Sequence, residues 1–300
     1  MENDSESSGL TVLDEEQRLF TVYTSRIAVF SLAVALAQLA AAQSPSGGRT
    51  HEGLIALYDF GDAEGAVVKD RSSVGEALDL RIENAGEVRR AAGELEIRGK
   101  TVIRSEKPAQ KITEAVGDSG ELTVEAWVRP AKIDQDGPAR IVTISADTTN
   151  RNFTLGQERD AFDARLRTSR TSGNGIPSLP SAGKSLKTEM SHVVYTRDAK
   201  GQARIFINGK QAAAKTVAGD LNNWNGSYRL ALGNELSGDR AWQGTYYLIA
   251  IYNRSLPAED INRNFRAGAG TEAVRELLAQ ARERKNLQRF NQQVAPILVK

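Results

Sequence analysis

The chain has 300 residues, 40% of them hydrophobic and 26% charged, with a formal net charge of +1. These values describe a folded chain long enough for one large core. They give no electrostatic case for nucleic acid as a partner. The absence of cysteine excludes disulfides, thiolate chemistry and a cysteine metal site within the chain.

Residues 1–25 are acidic, carrying Glu2, Asp4, Glu6, Asp14, Glu15 and Glu16. Residues 27–42, IAVFSLAVALAQLAAA, follow Arg26 and end in Ala40-Ala41-Ala42. A basic flank, a short apolar run and a small-residue end predict a secretory signal cleaved near Gln43. The run is shorter than the roughly 20 residues a membrane span requires. The acidic leader is longer than a signal's first region, which leaves two alternatives: a true start nearer Val22, or an uncleaved signal anchor attached to the membrane through residues 27–42. Either way the protein is expected to be exported, to the periplasm, the cell surface or the medium; the alternative is that residues 27–42 form a buried core helix. Residues 43–52, with Ser44-Pro45-Ser46-Gly47-Gly48, read as a linker that includes His51, and the folded domain is expected over 53–268.

Short strands are predicted at 54–60, 77–82, 93–97, 101–105, 122–128, 140–145, 152–157, 161–167, 192–196, 203–207, 212–217, 228–232 and 244–252. In the fifth, Leu122, Val124, Ala126 and Val128 share one face, with Thr123, Glu125 and Trp127 on the other. The run GQARIFING at 201–209 alternates in the same way and ends in Asn208-Gly209, which suits a type I′ turn because both central residues there need positive φ. Many short strands between turns predict an all-β fold, two antiparallel sheets packed as a sandwich. Residues 168–187 are the longest loop-like stretch. A short helix is predicted from just after Ser255 to near Gly268, with Pro257 in its first turn and Gly268 past its end. Over 271–290, Val274, Leu277, Leu278 and Ala281 recur at helical spacing, which predicts an amphipathic helix in the 269–300 segment, outside the sandwich.

Six motifs follow one another in order: GLIALYDF, LTVEAWVRP, SHVVYTRD, ARIFINGK, LALGNE and WQGTYYLIAIYNRSLPAEDI. The series resembles the laminin-G-like, or concanavalin A-like, jelly-roll domains over about 53–268. The resemblance implies a two-sheet jelly roll, frequently a carbohydrate- or protein-binding module of exported proteins. In that family an Asp-Glu pair often precedes the IYNRSL-like motif; here those positions hold Tyr247 and Leu248. A second resemblance covers the FNQQVAPILVK run at 290–300, which is similar to the lead-in of planctomycete-type cytochrome c domains. It implies haem c in a domain downstream, and none on these residues.

The residues offer candidates for three kinds of site. Glycoside hydrolysis needs two carboxylates about 5–10 Å apart. Glu125 is the obvious acid, but its same-face neighbours Thr123 and Trp127 are not acidic and Glu121 is four residues away, so the module is expected to be non-catalytic. Calcium requires six to eight oxygens; the candidate clusters are Asp59, Asp62 and Glu64 with Asp70, and Asn234, Glu235 and Asp239. Asp70, before Arg71-Ser72-Ser73, alternatively organises a turn. A glycan would stack on Trp224 and bond to Asn222, Asn223 and Asn225, unless Trp224 folds back over the sandwich edge. Trp127 is expected in the core, Trp242 against a turn and His192 packed in its sheet. The function expected from these readings is recognition of carbohydrate or glycoprotein outside the cytoplasm. The alternatives are a structural or adhesion module of an envelope protein, and an accessory domain of a haem-containing redox protein.

Overall fold

The computed structural model describes residues 48–270, together with Glu283 and Asn286, which are helical and exposed. The predicted signal or anchor at 27–42, most of the 271–290 helix and the run at 290–300 lie outside the described residues. Among the described residues no helix is long and apolar enough to cross a membrane.

In chain order the strands are β1 (Leu54–Tyr58), β2 (Val67–Val68), β3 (Leu80–Ile82), β4 (Val88–Ala91), β5 (Glu94–Ile97), β6 (Ile103–Ser105), β7 (Leu122–Pro130) and β8 (Ala139–Ser145). They continue as β9 (Arg151–Glu158), β10 (Ala161–Leu166), β11 (Leu179–Pro180), β12 (Ser191–Arg197), β13 (Gln202–Ile207), β14 (Lys210–Thr216), β15 (Arg229–Leu232) and β16 (Gly244–Tyr252). Helix α1 (Gln110–Ser119) precedes β7, and α2 (Ala258–Ala267) follows β16. The first sheet runs β14-β13-β12-β7-β16-β5-β4, with β1 also on β16, and the second runs β11-β10-β9-β8-β15-β6-β3-β2. Neighbouring strands pair antiparallel, as in β7 with β12 and β8 with β9.

The period-2 alternation directs the packing. Val124, Ala126 and Val128 of β7, with Val193, Tyr195, Ile249 and Ile251, form one core with Val142, Ile144, Phe153, Leu155, Phe162, Leu230 and Leu232 of the other sheet. Each such side chain withdrawn from water contributes about 1.5–3 kcal/mol. The Asn208-Gly209 turn has φ of 50° and 76°, as its type demands, and joins Ile207 to its partner Lys210. In β16, Tyr246 pairs with Val128 and Leu248 with Trp127, so Tyr247 is an extra residue in a bulge. The bulge switches the strand's parity: Tyr246, Ile249 and Ile251 point into the core, whereas Leu248, Ala250 and Tyr252 point out.

Helix α1, strand β4, the two-residue strands β2 and β11 and the start of the folded region depart from the sequence-based expectation. Helix α1 was not foreseen. It buries only Ile112, Thr113 and Val116 along ten residues that include Gly117 and Ser119, too brief a period to stand out. Strand β4, sequence VRRA, shows no apolar alternation; it is held by pairing with β5, with Arg89 bonding to Glu94 and Glu96. The folded region also begins before Gly53: Arg49 and Thr50, assigned to the linker, are buried.

Candidate functional site

The two outer faces of the sandwich are built differently. On the first sheet, Trp127, Val194, Phe206, Leu248, Ala250 and Tyr252 point outward and are covered by Leu256, Ile261 and Phe265, from α2 and the turn before it. Trp127 stacks on His192 and Phe265, with ring centres 4.7 and 5.8 Å away. It therefore lies in this outer apolar layer rather than between the sheets.

Glu125 sits beneath the same helix, fully buried. Its Oε1 accepts from an Arg49 guanidinium N–H and from His192 Nε2 at 2.8 Å. Its Oε2 accepts from Asn264 Nδ2 at 2.8 Å and Tyr252 OH at 3.2 Å. Arg49 also donates to the carbonyls of Asn264 and Gly268, at 3.1 and 2.6 Å, so it closes the C-terminal end of α2, where carbonyls lack helical partners. Burial, and then the Arg49 charge, drives His192 well below the usual histidine range and keeps it neutral. Burial also raises Tyr252. The cluster therefore holds one carboxylate and one guanidinium. His192 Nδ1 and Arg49 Nε are left without partners, but both carboxylate oxygens are filled.

The outer face of the second sheet carries arginine. Arg81, Arg104, Arg140, Arg165 and Arg229 each occupy an outward position on a different strand, beside inward aliphatic residues such as Leu80, Ile82, Ile103, Leu166 and Leu230. A sixth, Arg151, reaches the same face through the register shift between Ile144 and Ser145. Thr143 and Thr154, opposite one another, share a hydroxyl hydrogen bond, and Thr143 Oγ1 also donates to Ser145 Oγ.

At the centre, Arg140 Nε donates to Glu235 Oε2 at 2.9 Å. Glu235 Oε1 accepts from Ser145 Oγ and from the Leu236 amide. Arg151 donates to Thr154 Oγ1 at 3.1 Å and to the Thr148 carbonyl, and bonds to no carboxylate. Burial, then repulsion from Arg140, lowers Arg151 to about 9. Burial lowers Arg140 too, against the pull of Glu235. Arg165 bonds to Asp163 at 2.9 Å and to Asn174 at 3.4 Å, at the exposed margin of the face.

The structure redistributes the residues singled out from sequence. Trp224 offers no stacking platform: it is 7% exposed, belongs to the core and donates its Nε1 to the Arg167 carbonyl at 2.9 Å. An indole folds inward when its N–H finds such a partner. The asparagines around it shape their own loop. The Asn222 amide bonds to Asp220, Asn223 Nδ2 to the Thr168 carbonyl, and Asn225 to Asn152 through its backbone and to Ser227 through its side chain.

The two oxygen clusters are met by internal donors instead of forming ligand sets. Asp70 accepts from the Leu57, Ser72 and Leu78 amides and from Lys111 Nζ. Burial pushes its carboxyl up, but these bonds hold it below the ordinary range, and it organises the turn. Asp62 bonds to Arg71 and Asp59 to the Gly61 amide, while Glu64 is exposed. Glu235 is taken by Arg140, Asn234 Oδ1 by the Glu235 and Arg240 amides, and Asp239 by Ser237. Among the described residues, no three His, Asp or Glu side chains are grouped to hold a metal ion. Trp242 is in the core, its Nε1 bonded to Gln157. Two open grooves, of about 440 and 270 Å³, lie beside β2–β4; one is lined by residues that include Glu64, Ile82, Val88 and Arg90, the other by residues that include Lys69, Asp79, Arg81, Glu106 and Lys107.

The arginine face was missed in the sequence. Its signal is a guanidinium at the polar position of each strand, as in Leu80-Arg81-Ile82 and Ala164-Arg165-Leu166. It gains meaning only once the strands are known to be neighbours.

Residues 105–262 match the family model described as the concanavalin A-like lectin/glucanases superfamily. Among solved structures, the chain is similar to botulinum neurotoxin type C, whose cell entry is described as dependent upon interaction with two ganglioside molecules. The two share 16% identity with a TM-score of 0.53, over 72% of this chain and 52% of that one. It is also similar to a Trypanosoma rangeli sialidase in complex with 2-keto-3-deoxy-D-glycero-D-galacto-2,3-difluoro-nononic acid (16% identity, TM-score 0.54, 73% of this chain and 33% of that one). The binding domain of botulinum neurotoxin DC, in complex with rat synaptotagmin II, shares 15% identity at a TM-score of 0.54, over 74% and 52% of the two chains. The chain thus spans between a third and about half of these structures' lengths. No curated protein matches it by sequence.

Proposed function

The chain belongs to the concanavalin A-like lectin/glucanases superfamily, and from that premise we propose that it is a non-catalytic module that binds carbohydrate on the outer face of its second sheet. One observation carries the reading. The first sheet's outer face is sealed by α2, whereas on the second Arg81, Arg104, Arg165 and Arg229 keep part of their surface exposed. Sugar recognition needs such a surface, because hydroxyls both donate and accept. The fold of the saccharide-binding neighbours supports the reading at the level of architecture only.

The carboxylates support a non-catalytic role. Glu125 lies against the outer face of the first sheet and Glu235 against that of the second. Both are fully buried and bonded to an arginine and other internal donors, so neither is offered to a glycosidic bond. The apolar segment at 27–42 places the module outside the cytoplasm in this proposal, and fractionation of cells producing the chain would detect it in the soluble cytoplasm if that part is wrong.

The test is retention of the protein on a panel of immobilised polysaccharides, beside the Arg165→Ala/Arg229→Ala double variant. Retention of the native chain, lost in the variant at an unchanged melting temperature, is the expected result. A native chain that passes through every column refutes the proposal.

A further inference from the structure

We propose that the groove beside β2 and β3, on the second sheet's outer face, seats one ring of a neutral polysaccharide; this rests on the carbohydrate reading above. Here the face stands open. Val67, Lys69, Asp79 and Arg81 line the groove together with Glu106 and Lys107, while the alternate residues Val68 and Leu80 point into the core. Its volume of about 270 Å³ lies close to the lower bound of small-molecule clefts, roughly 300 Å³. One sugar ring fills such a space, and the rest of the polymer lies across the open face. Arg229, on β15, lies outside the groove.

Every cation of the groove already faces a carboxylate. Lys69 bonds to Asp79 at 2.7 Å, Arg81 to Glu106 at 3.3 Å, and Lys107 to Glu76. Next to them, Arg104 bonds to Glu83. Four positive charges thus meet four negative ones. A uronate or a sulfate ester has to displace one of these carboxylates and gains no net attraction. A hydroxyl displaces nothing. Ammonium and guanidinium groups keep N–H donors beyond those used in a pair, and a carboxylate keeps lone pairs. One ring hydroxyl therefore accepts from Lys69 or Arg81 while it donates to Asp79 or Glu106. Burial does not fix these pairs: Arg81 and Glu106 keep 64% and 68% of their side-chain surface exposed, and such weak pairs reorient around a sugar. Val67, 37% exposed, and Ala77 present carbon to the C–H face of the ring. The lining holds no aromatic ring, so each sugar is held weakly and retention should grow with the length of the polymer.

The test measures retention of the intact chain on immobilised polymers in matched pairs: hydroxyethyl cellulose beside carboxymethyl cellulose, dextran beside dextran sulfate, and fully methyl-esterified pectin beside polygalacturonate. Retention by at least one neutral polymer, severalfold greater than by its acidic partner and little changed by salt, is the expected result. Arg81→Ala/Glu106→Ala removes an exposed pair together and strands no charge. It is expected to lower retention about tenfold at an unchanged melting temperature, as the loss of one or two hydrogen bonds would. Lys132→Ala/Asp134→Ala, at an exposed pair outside the groove, should leave retention unchanged. Stronger retention by the acidic partner overturns the neutral selection, and equal retention of the native chain and Arg81→Ala/Glu106→Ala overturns the groove; in both cases the carbohydrate reading stands. Failure of every polymer, neutral and acidic, removes the carbohydrate reading and the inference with it.

Discussion

Beneath α2, Glu125 meets Arg49, a neutral His192, Tyr252 and Asn264, and one negative charge answers one positive charge. Across the sandwich, Arg140, Arg151 and Arg165 face Glu235, Asp163 and Asp147. Both clusters stand on strands of the same alternation. They differ in what completes them. The first is completed by the chain itself, from the segment before β1 and from the helix after β16, and it fastens those ends to the sheet. The second is completed within the sheet and its loops, where Glu235 bonds Arg140 and Asp163 bonds Arg165. The first cluster lies as a lock under a helix, whereas the second lies on a face whose margin, at Arg165, Arg229, Arg104 and Arg81, stays partly exposed.

The sharpest way to break this comparison is to unbalance the lock. Glu125→Ala strands Arg49 in a buried site, and removing one partner of such a pair costs about 3–5 kcal/mol. The urea midpoint should fall accordingly, and Arg49→Met with Glu125→Leu should recover most of the loss. A midpoint unchanged by Glu125→Ala would show that the lock does not hold α2.

Trp224→Ala comes next. The indole is in the core, so its loss should cost about 3 kcal/mol as a cavity. At temperatures where the variant stays folded, glycan retention should be unaltered. Lost retention at full stability would return Trp224 to the binding surface.

Acid titration sharpens the contrast further. His192 has a folded pKa well below its unfolded value of about 6.5. The unfolded chain therefore binds more protons below pH 6.5, and stability falls as pH falls. Between about pH 7.5 and 5 the native chain should lose about 2 kcal/mol, seen in the urea midpoint, and His192→Gln should flatten that slope. An equally steep slope in the variant would remove His192 as its cause.

The smallest effect on stability is expected on the open face. Arg165→Ala should shift the melting temperature little, since a partly exposed pair contributes about 0–1 kcal/mol, yet weaken retention on the glycan that holds the native chain about tenfold. Unfolding without any change in retention would reverse the roles of the two faces.

Much of the architecture is legible along the chain, because it depends on neighbours in sequence. Alternation in β7 and β13 sets which residues enter the core, Asn208-Gly209 closes a hairpin through its positive φ, and Pro257 and Gly268 bound α2. What only the tertiary structure decided involves partners far apart. Glu125 meets residues 76 and 139 positions away. Trp224 turns inward to a carbonyl 57 residues back. The arginines of β3, β6, β15, β8, β9 and β10 share one face because the sheet places those strands side by side. Local periodicity dictates which side of a strand a residue takes. Strand order and loop closure, set by the packing of the whole domain, dictate what it finds there.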